Sequence, residues 1–206
     1  MKDNSLTSPL VGGRLCVDFA NAGNFAASHA AESLSWEELI LFLEAARIVT
    51  AERRGHLLEL TQTDPQAAGA LLQQANRLRE RLRQIFAALA NGKRLAKEWV
   101  EPINSVLRIT EGHDELAWDG RTWSIVFVAR EESLEWLLAA VARSAAELLA
   151  EGAGAPVRPC ANPTCSLFFY DDSRTRKRRW CSMALCGNRS KVAAFARRQS
   201  GNRRKG

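Results

Sequence analysis

The sequence lacks a long apolar run, an export signal and the common catalytic motifs. No stretch of its 206 residues approaches the ~18 uncharged apolar residues that a spanning helix needs. The opening Met1–Ser5 carries an acid, and no apolar segment of the secretory type follows it. Residues 1–155 contain no G-x-S-x-G, P-loop, G-x-G-x-x-G or H-E-x-x-H pattern. We therefore expect a soluble, cytoplasmic protein that has no membrane partner and is not an enzyme.

Acidic residues are scarce in the C-terminal quarter of the chain. Residues 156–206 hold 13 Lys and Arg but only two acids, Asp171 and Asp172, which gives a formal charge of +11. Residues 1–155 hold 16 basic and 21 acidic residues, a formal charge of −5. An acidic body repels polyanions and a basic end attracts them. The charge pattern predicts two parts, of which the second binds nucleic acid.

Helix signals dominate the first part. Ser35 and Glu38 form a capping box, and Asp64-Pro65 begins the clearest helix, which Gly92 ends. Four arginines of that helix lie off its apolar seam, where we expect a solvated flank: Arg77, Arg79, Arg81 and Arg83. The seam itself consists of Leu71, Ala75, Leu78, Leu82, Ile85 and Leu89.

Two more helices are predicted over residues 94–109 and 132–150, with a β-hairpin between them at Asp119-Gly120. The fold class is therefore mainly α, a helical N-terminal domain with a small β-hairpin, followed by a small C-terminal module of four cysteines that ends in a basic helix. A Gly- and Ala-rich segment marks the boundary. We divide the chain into a domain at 1–152, a linker at 153–157, a cysteine module at 158–200 and a basic tail at 201–206.

Four of the five cysteines lie in the basic part with the spacing Cys160-x4-Cys165-x15-Cys181-x4-Cys186. Two short pairs separated by a loop are typical of a structural zinc site, in which four thiolates close a tetrahedron around one ion. Two disulfides, four unrelated thiols and an iron–sulfur cluster are the alternatives. A catalytic zinc is disfavoured because four sulfurs leave no position for water and the module has no histidine.

Basic residues surround these cysteines. Asn188 and Arg189 follow Cys186 and open a short helix, and Asn and Arg suit bidentate contacts to adenine and guanine. A solvated basic surface is the alternative, and we favour it for 201–206. We expect Asp171 and Asp172 to orient neighbouring arginines. The candidate DNA-binding residues are Arg174, Arg176, Lys177, Arg178, Arg179, Asn188, Arg189, Lys191, Arg197 and Arg198.

The motifs around the cysteines resemble those of the bacterial CGNR zinc-finger proteins, named for the tetrapeptide at 186–189. The segment from Gly12 to Asn21 resembles the start of the ABATE-type domain that precedes such fingers. The resemblance implies a zinc ion on Cys160, Cys165, Cys181 and Cys186, and a stress-responsive transcription regulator whose finger binds double-stranded DNA. It also implies an N-terminal domain that senses an effector.

Asp18 and Asn21 stand within an apolar N-terminal segment, as orienting groups of a ligand pocket would. The alternative is that Asp18 caps a helix or pairs with an arginine, and that Asn21 caps a helix or makes a turn. Cys16 is expected to be a small buried hydrophobe. A single finger binds DNA with limited specificity, so a homodimer is expected. The alternative function is that of an RNA- or ribosome-associated zinc-binding protein.

Overall fold

The computed structural model describes residues 10–23, 33–109, 111–118, 120–121, 123–129, 134–152 and 155–193. Its α-helices are α1 (Leu15–Asn21), α2 (Trp36–Ala45), α3 (Ala51–Thr63), α4 (Pro65–Ala90), α5 (Glu101–Ile109) and α6 (Ala139–Ala150). Strands β1 (Gly112–Trp118) and β2 (Trp123–Ala129) form one antiparallel hairpin, and β3 (Val157–Pro159) and β4 (Phe168–Tyr170) form another. The described residues include no helix that is long and apolar enough to cross a membrane.

The predicted helix starts are confirmed. The Glu38 amide donates to the Ser35 hydroxyl over 3.2 Å, and the Ser35 amide donates to the Glu38 carboxylate over 2.8 Å. The Ala67 amide donates to the Asp64 carboxylate over 2.9 Å at the start of α4. These side chains satisfy amides that have no partner within the first helical turn.

Helix α4 is the centre of the hydrophobic core. Its seam residues Leu71, Ala75, Leu78, Leu82 and Ile85 are buried, and α1, α2, α3 and α5 pack around it. Helix α1 is almost wholly buried, which explains why it carries no helical periodicity.

Three elements differ from the sequence prediction. A 3₁₀ turn at Lys97–Val100 precedes α5, and another at Leu134–Leu138 precedes α6, so each predicted helix is divided. Pro102 lies in the first turn of α5, where its missing amide is tolerated. In the first hairpin Trp118 pairs with Trp123, so the strands are joined by four residues instead of a two-residue turn.

The expectation of a solvated arginine flank on α4 is wrong for two of its four members. Arg79 is 1% exposed, and its Nε donates to the Ala22 carbonyl over 3.0 Å. Arg83 donates to the Ala20 carbonyl over 3.0 Å and to the Ser166 carbonyl over 3.2 Å. Burial lowers the pKa of Arg79 to about 10, so the guanidinium remains charged at neutral pH. Both cations lie at the C-terminal end of α1, where the helix dipole is negative.

The cysteine module packs directly on the helical domain. Ala155, Val157 and Phe168 belong to the same hydrophobic cluster as α1 and α4, although the sequence placed residues 153–157 in a linker. The Asn21 side chain binds β4 as a neighbouring strand would: its Nδ2 donates to the Phe168 carbonyl and its Oδ1 accepts from the Phe168 amide, both over 2.8 Å. Asn21, a candidate ligand-binding residue, thus joins the two parts of the chain.

Replacing Asn21 by Ala is expected to destabilise the whole chain by about 3 kcal/mol, because two buried backbone groups of Phe168 lose their partners. Chemical unfolding of the purified protein, followed by circular dichroism, measures this. Asn91→Ala is the control, since its exposed amide donates to the Ala87 carbonyl only, and it should cost less than about 0.5 kcal/mol. Equal losses in both variants would contradict the role of Asn21.

Asp18, the other candidate ligand-binding residue, also has a backbone partner. Its Oδ1 accepts from the Gly12 amide over 2.7 Å, and its side chain lies among buried residues of α1. Burial raises the pKa of Asp18 to about 6, because removing the carboxylate from water disfavours its charge. The folded state therefore binds this proton more tightly than the unfolded state does.

Because of this pKa, the ionised Asp18 side chain lowers the free energy of unfolding above about pH 6. This loss is recovered as the pH falls below that value and the carboxylate takes up its proton. Relative to Asp18→Asn, the natural protein should gain about 1.4 kcal/mol between about pH 7.5 and about pH 5. Urea unfolding of both proteins across this range measures the difference. A pH-independent difference between them would show that Asp18 titrates normally.

Candidate metal centre and nucleic-acid interface

Four cysteine sulfurs converge in the cysteine module, predicted at 158–200, of which the structure describes residues up to Ala193. Cys160 follows β3 and Cys165 precedes β4, while Cys181 precedes a π-helical turn at Met183–Gly187 and Cys186 lies within that turn. All four Sγ atoms lie within 4.8 Å of one another. Cys181 Sγ lies 3.9 Å from Cys165 Sγ and 3.7 Å from Cys186 Sγ.

These separations fit a single tetrahedral zinc ion. Four Zn–S bonds of about 2.3 Å place the sulfurs about 3.8 Å apart. A disulfide would bring two sulfurs to about 2.05 Å, so these sulfur pairs are not oxidised, and none of the five cysteines forms a disulfide. The four-sulfur donor set leaves no open position, which makes the site structural. The cysteine module therefore holds one structural zinc ion.

Backbone turns hold the ligands in place. The Cys165 amide donates to the Asn162 carbonyl over 2.9 Å, and the Cys186 amide donates to the Ser182 carbonyl over 3.0 Å. The Asn162 side chain, 9% exposed, donates from Nδ2 to Cys186 Sγ over 3.4 Å. A hydrogen bond to a thiolate stabilises its charge, so Asn162 supports the metal site from outside the ligand set. Sequence reasoning missed Asn162 because an Asn between two cysteines also suits a turn.

The four cysteine sulfurs lie so close together that a cation is needed for all of them to be ionised. The pKa of Cys160 is held far below the ordinary thiol value, because Cys165 and Cys181 donate hydrogen bonds to its sulfur. The hydrogen bond to Cys160 raises the pKa of Cys165 to about 11, and the pKa of Cys181 is raised as well. One thiolate thus suppresses ionisation of the next. A divalent ion removes this conflict because it binds all four thiolates together.

Residues 171–179 form a loop beside the sulfurs, which we call the basic loop. Asp171, which is 1% exposed, holds this loop in place. Its carboxylate accepts from the Ser173 amide and hydroxyl and from the Arg178 amide. Burial raises the pKa of Asp171, but the hydrogen bonds from Ser173 and Arg178 outweigh burial and hold it below its usual value. The expected pairing with arginines is also present, because Arg158 lies 3.7 Å from Asp171 and Arg178 lies 3.9 Å from Asp172.

Arg178 is directed into the protein, unlike the basic residues around it. Its guanidinium donates to the carbonyls of Trp180, Cys181 and Val11, and it stacks on Phe169 at 4.7 Å from the ring centroid. These contacts attach the basic loop to the cysteine module and to the segment before α1. Arg178 therefore has a structural role in this molecule, whatever its contribution to nucleic-acid binding.

A groove of about 680 Å³ runs along the outside of the metal centre. Arg179, Trp180, Arg189 and Lys191 line one side of it, and the turn that contains Asn162 lines another. The Arg179 guanidinium lies 5.0 Å from the centroid of the Trp180 ring, a cation–π contact that fixes its position. The groove thus combines three cations with an aromatic surface.

Most of the other candidate DNA-binding residues are exposed near this groove or on the basic loop. Arg174, Arg176 and Lys177 lie exposed on the loop, and Asn188 is exposed beside Arg189. The helical segment begins at Met183, where Ser182 caps it, one turn earlier than expected. Asn188 is therefore inside the helical segment and not at its start. Arg197, Arg198 and the tail at 201–206 lie outside the described residues.

Comparison with known proteins agrees with this geometry. The CGNR zinc finger model matches residues 157–199. The ABATE family model, described as "Putative stress-induced transcription regulator", matches residues 13–152. The second match covers more than half of the chain, so the chain belongs to the ABATE family and carries a C-terminal CGNR zinc finger. No curated protein matches it. The two family descriptions name a regulator and a zinc finger and no catalytic activity.

The purified protein is expected to contain one zinc ion per chain, and Cys181→Ser should abolish it, because three thiolates and a hydroxyl bind zinc far more weakly. Elemental analysis and thiol titration before and after chelation measure both. Cys16→Ala is the matched control, since Cys16 is 0% exposed but lies in the helical core away from the sulfur cluster. Zinc retained by Cys181→Ser would contradict the assigned ligand set.

Proposed function

We propose that this protein is a transcription regulator that binds double-stranded DNA through its cysteine module. The observation that carries the proposal is the groove beside the metal centre, where Arg179, Arg189 and Lys191 are held together by a zinc-stabilised scaffold. Cations on a rigid surface neutralise phosphates with little loss of conformational entropy. The family matches support a regulator of transcription.

The two parts of this surface suit different contacts. The exposed loop residues Arg174, Arg176 and Lys177 and the groove residue Arg179 would bind phosphates without regard to sequence. Asn188 and Arg189, exposed on the helical segment, would reach base edges in the major groove, where bidentate contacts to adenine and guanine distinguish the base pairs. Zinc would act by folding this surface and takes no part in chemistry.

The N-terminal domain would sense an effector or form the dimer. The N-terminal domain is attached to the cysteine module, because Asn21 and Arg83 both contact backbone groups of that module. This attachment supports the sensing role. A change in the position of α1 or α4 would therefore move the DNA-binding surface. Asp18 and Asn21 would contribute to sensing by holding α1 in place. A direct contact of either residue with the effector is a separate proposal.

Affinity for a duplex should fall steeply with salt, and Arg179→Ala with Lys191→Ala should weaken binding to all sequences alike. If each residue contacts one phosphate, the negative slope of log affinity against log salt should become shallower by about 2 in the double variant. Fluorescence anisotropy with the zinc-loaded protein and labelled duplexes measures the slope.

The matched control is Arg53→Ala with Lys93→Ala, which removes the same charge from the helical domain and should leave the slope unchanged. No binding to any duplex at low salt would refute the proposal. Displacement of labelled DNA by duplex RNA at much lower concentration than by unlabelled DNA would favour the RNA-associated alternative.

A further inference from the structure

A second groove, of about 470 Å³, lies between the first hairpin and helices α5 and α6. Its apolar side is formed by Leu107 of α5, Ile125 and Phe127 of β2, and Ala140 of α6. Ile125 is 74% exposed, so part of this apolar side contacts water. The volume is within the range of small-molecule sites, and an apolar ligand here would cover surface that water now contacts.

The polar side of the groove carries an excess of negative charge. Arg143 Nη1 lies 2.9 Å from the Asp114 carboxylate, and Arg143 Nε lies 3.3 Å from the Glu147 carboxylate. One guanidinium is thus shared by two carboxylates, which leaves a formal charge of −1 on these lining residues. A lining of this kind favours a cation and disfavours an anion.

The groove is connected to the cysteine module through α1. Ser144 lines the groove, and its hydroxyl accepts a hydrogen bond from the Cys16 amide in the first turn of α1 over 3.2 Å. At the other end of this short helix, Asn21 binds both backbone groups of Phe168 in β4. A displacement of α6 at Ser144 therefore acts on the helix that holds the cysteine module.

We propose that this groove binds a small amphipathic cation, an apolar ring or chain with one protonated amine, and that α1 transmits its binding to β4. The inference rests on the proposed function only in treating the ligand as an effector. The binding itself does not require DNA, so the two proposals fail separately.

The test uses the full-length zinc-loaded protein without DNA and three probes that share one ring system: naphthylmethylamine, naphthylmethanol and naphthoate. Backbone amide shifts in a nuclear magnetic resonance titration locate each probe and give its affinity. The amine should perturb β2, α6 and the Cys16 and Phe168 amides, and it should bind about threefold more tightly than the alcohol. Naphthoate should bind more weakly than both.

Two variants separate the contributions of shape and charge. Ala140→Trp should abolish binding of the amine and the alcohol by filling the groove. Glu147→Gln, at an exposed position, should lower the preference for the amine over the alcohol from about threefold to about one. Glu59→Gln, an exposed change on α3, is the control and should alter neither affinity.

Results of three kinds would overturn the proposal. The first is absence of binding by all three probes up to their solubility limits. The second is equal or tighter binding of naphthoate, or perturbations centred on residues outside the groove. The third concerns transmission alone: perturbations that stop at Ser144 and leave Cys16 and Phe168 unchanged would refute the role of α1. Duplex binding measured separately decides the regulatory function in each case.

Discussion

The constraint on which the structure depends is that the cysteine module has too few large apolar residues to fold by burial alone. Two kinds of contact stabilise the module instead. Zinc joins the turns at Cys160–Cys165 and Cys181–Cys186, and the β3–β4 hairpin packs on α1 and α4 through Val157 and Phe168. The module is thus stabilised on one side by a metal ion and on the other by the helical domain.

This arrangement makes the helical domain and the cysteine module one packed unit. The backbone of the zinc-binding segment is contacted from α1 by Asn21 and from α4 by Arg83, whose guanidinium reaches the Ser166 carbonyl beside Cys165. Arg83 is half-buried, and a cation in such a position is costly to leave without its carbonyl partners. Separation of the two parts would therefore expose apolar surface and break these bonds together.

Charge is distributed according to this packing. The basic residues turned inward, Arg83 and Arg178, bind backbone carbonyls and hold the module in position. Those turned outward, among them Arg179, Arg189 and Lys191, form the groove beside the zinc site. Arginine thus occurs both in the packing of the module and in the lining of the groove.

The sequence by itself determined the zinc ligands, the helix starts at Ser35 and Asp64, and the apolar seam of α4, because each depends on spacing or on contacts between near neighbours. It did not reveal that Arg79 is buried and Arg83 half-buried, that Arg178 points inward, or that Asn21 pairs with β4. Those features join residues that are distant along the chain, such as Asn21 and Phe168, which are 147 positions apart. Only the tertiary structure decides them, since side-chain burial depends on which elements meet.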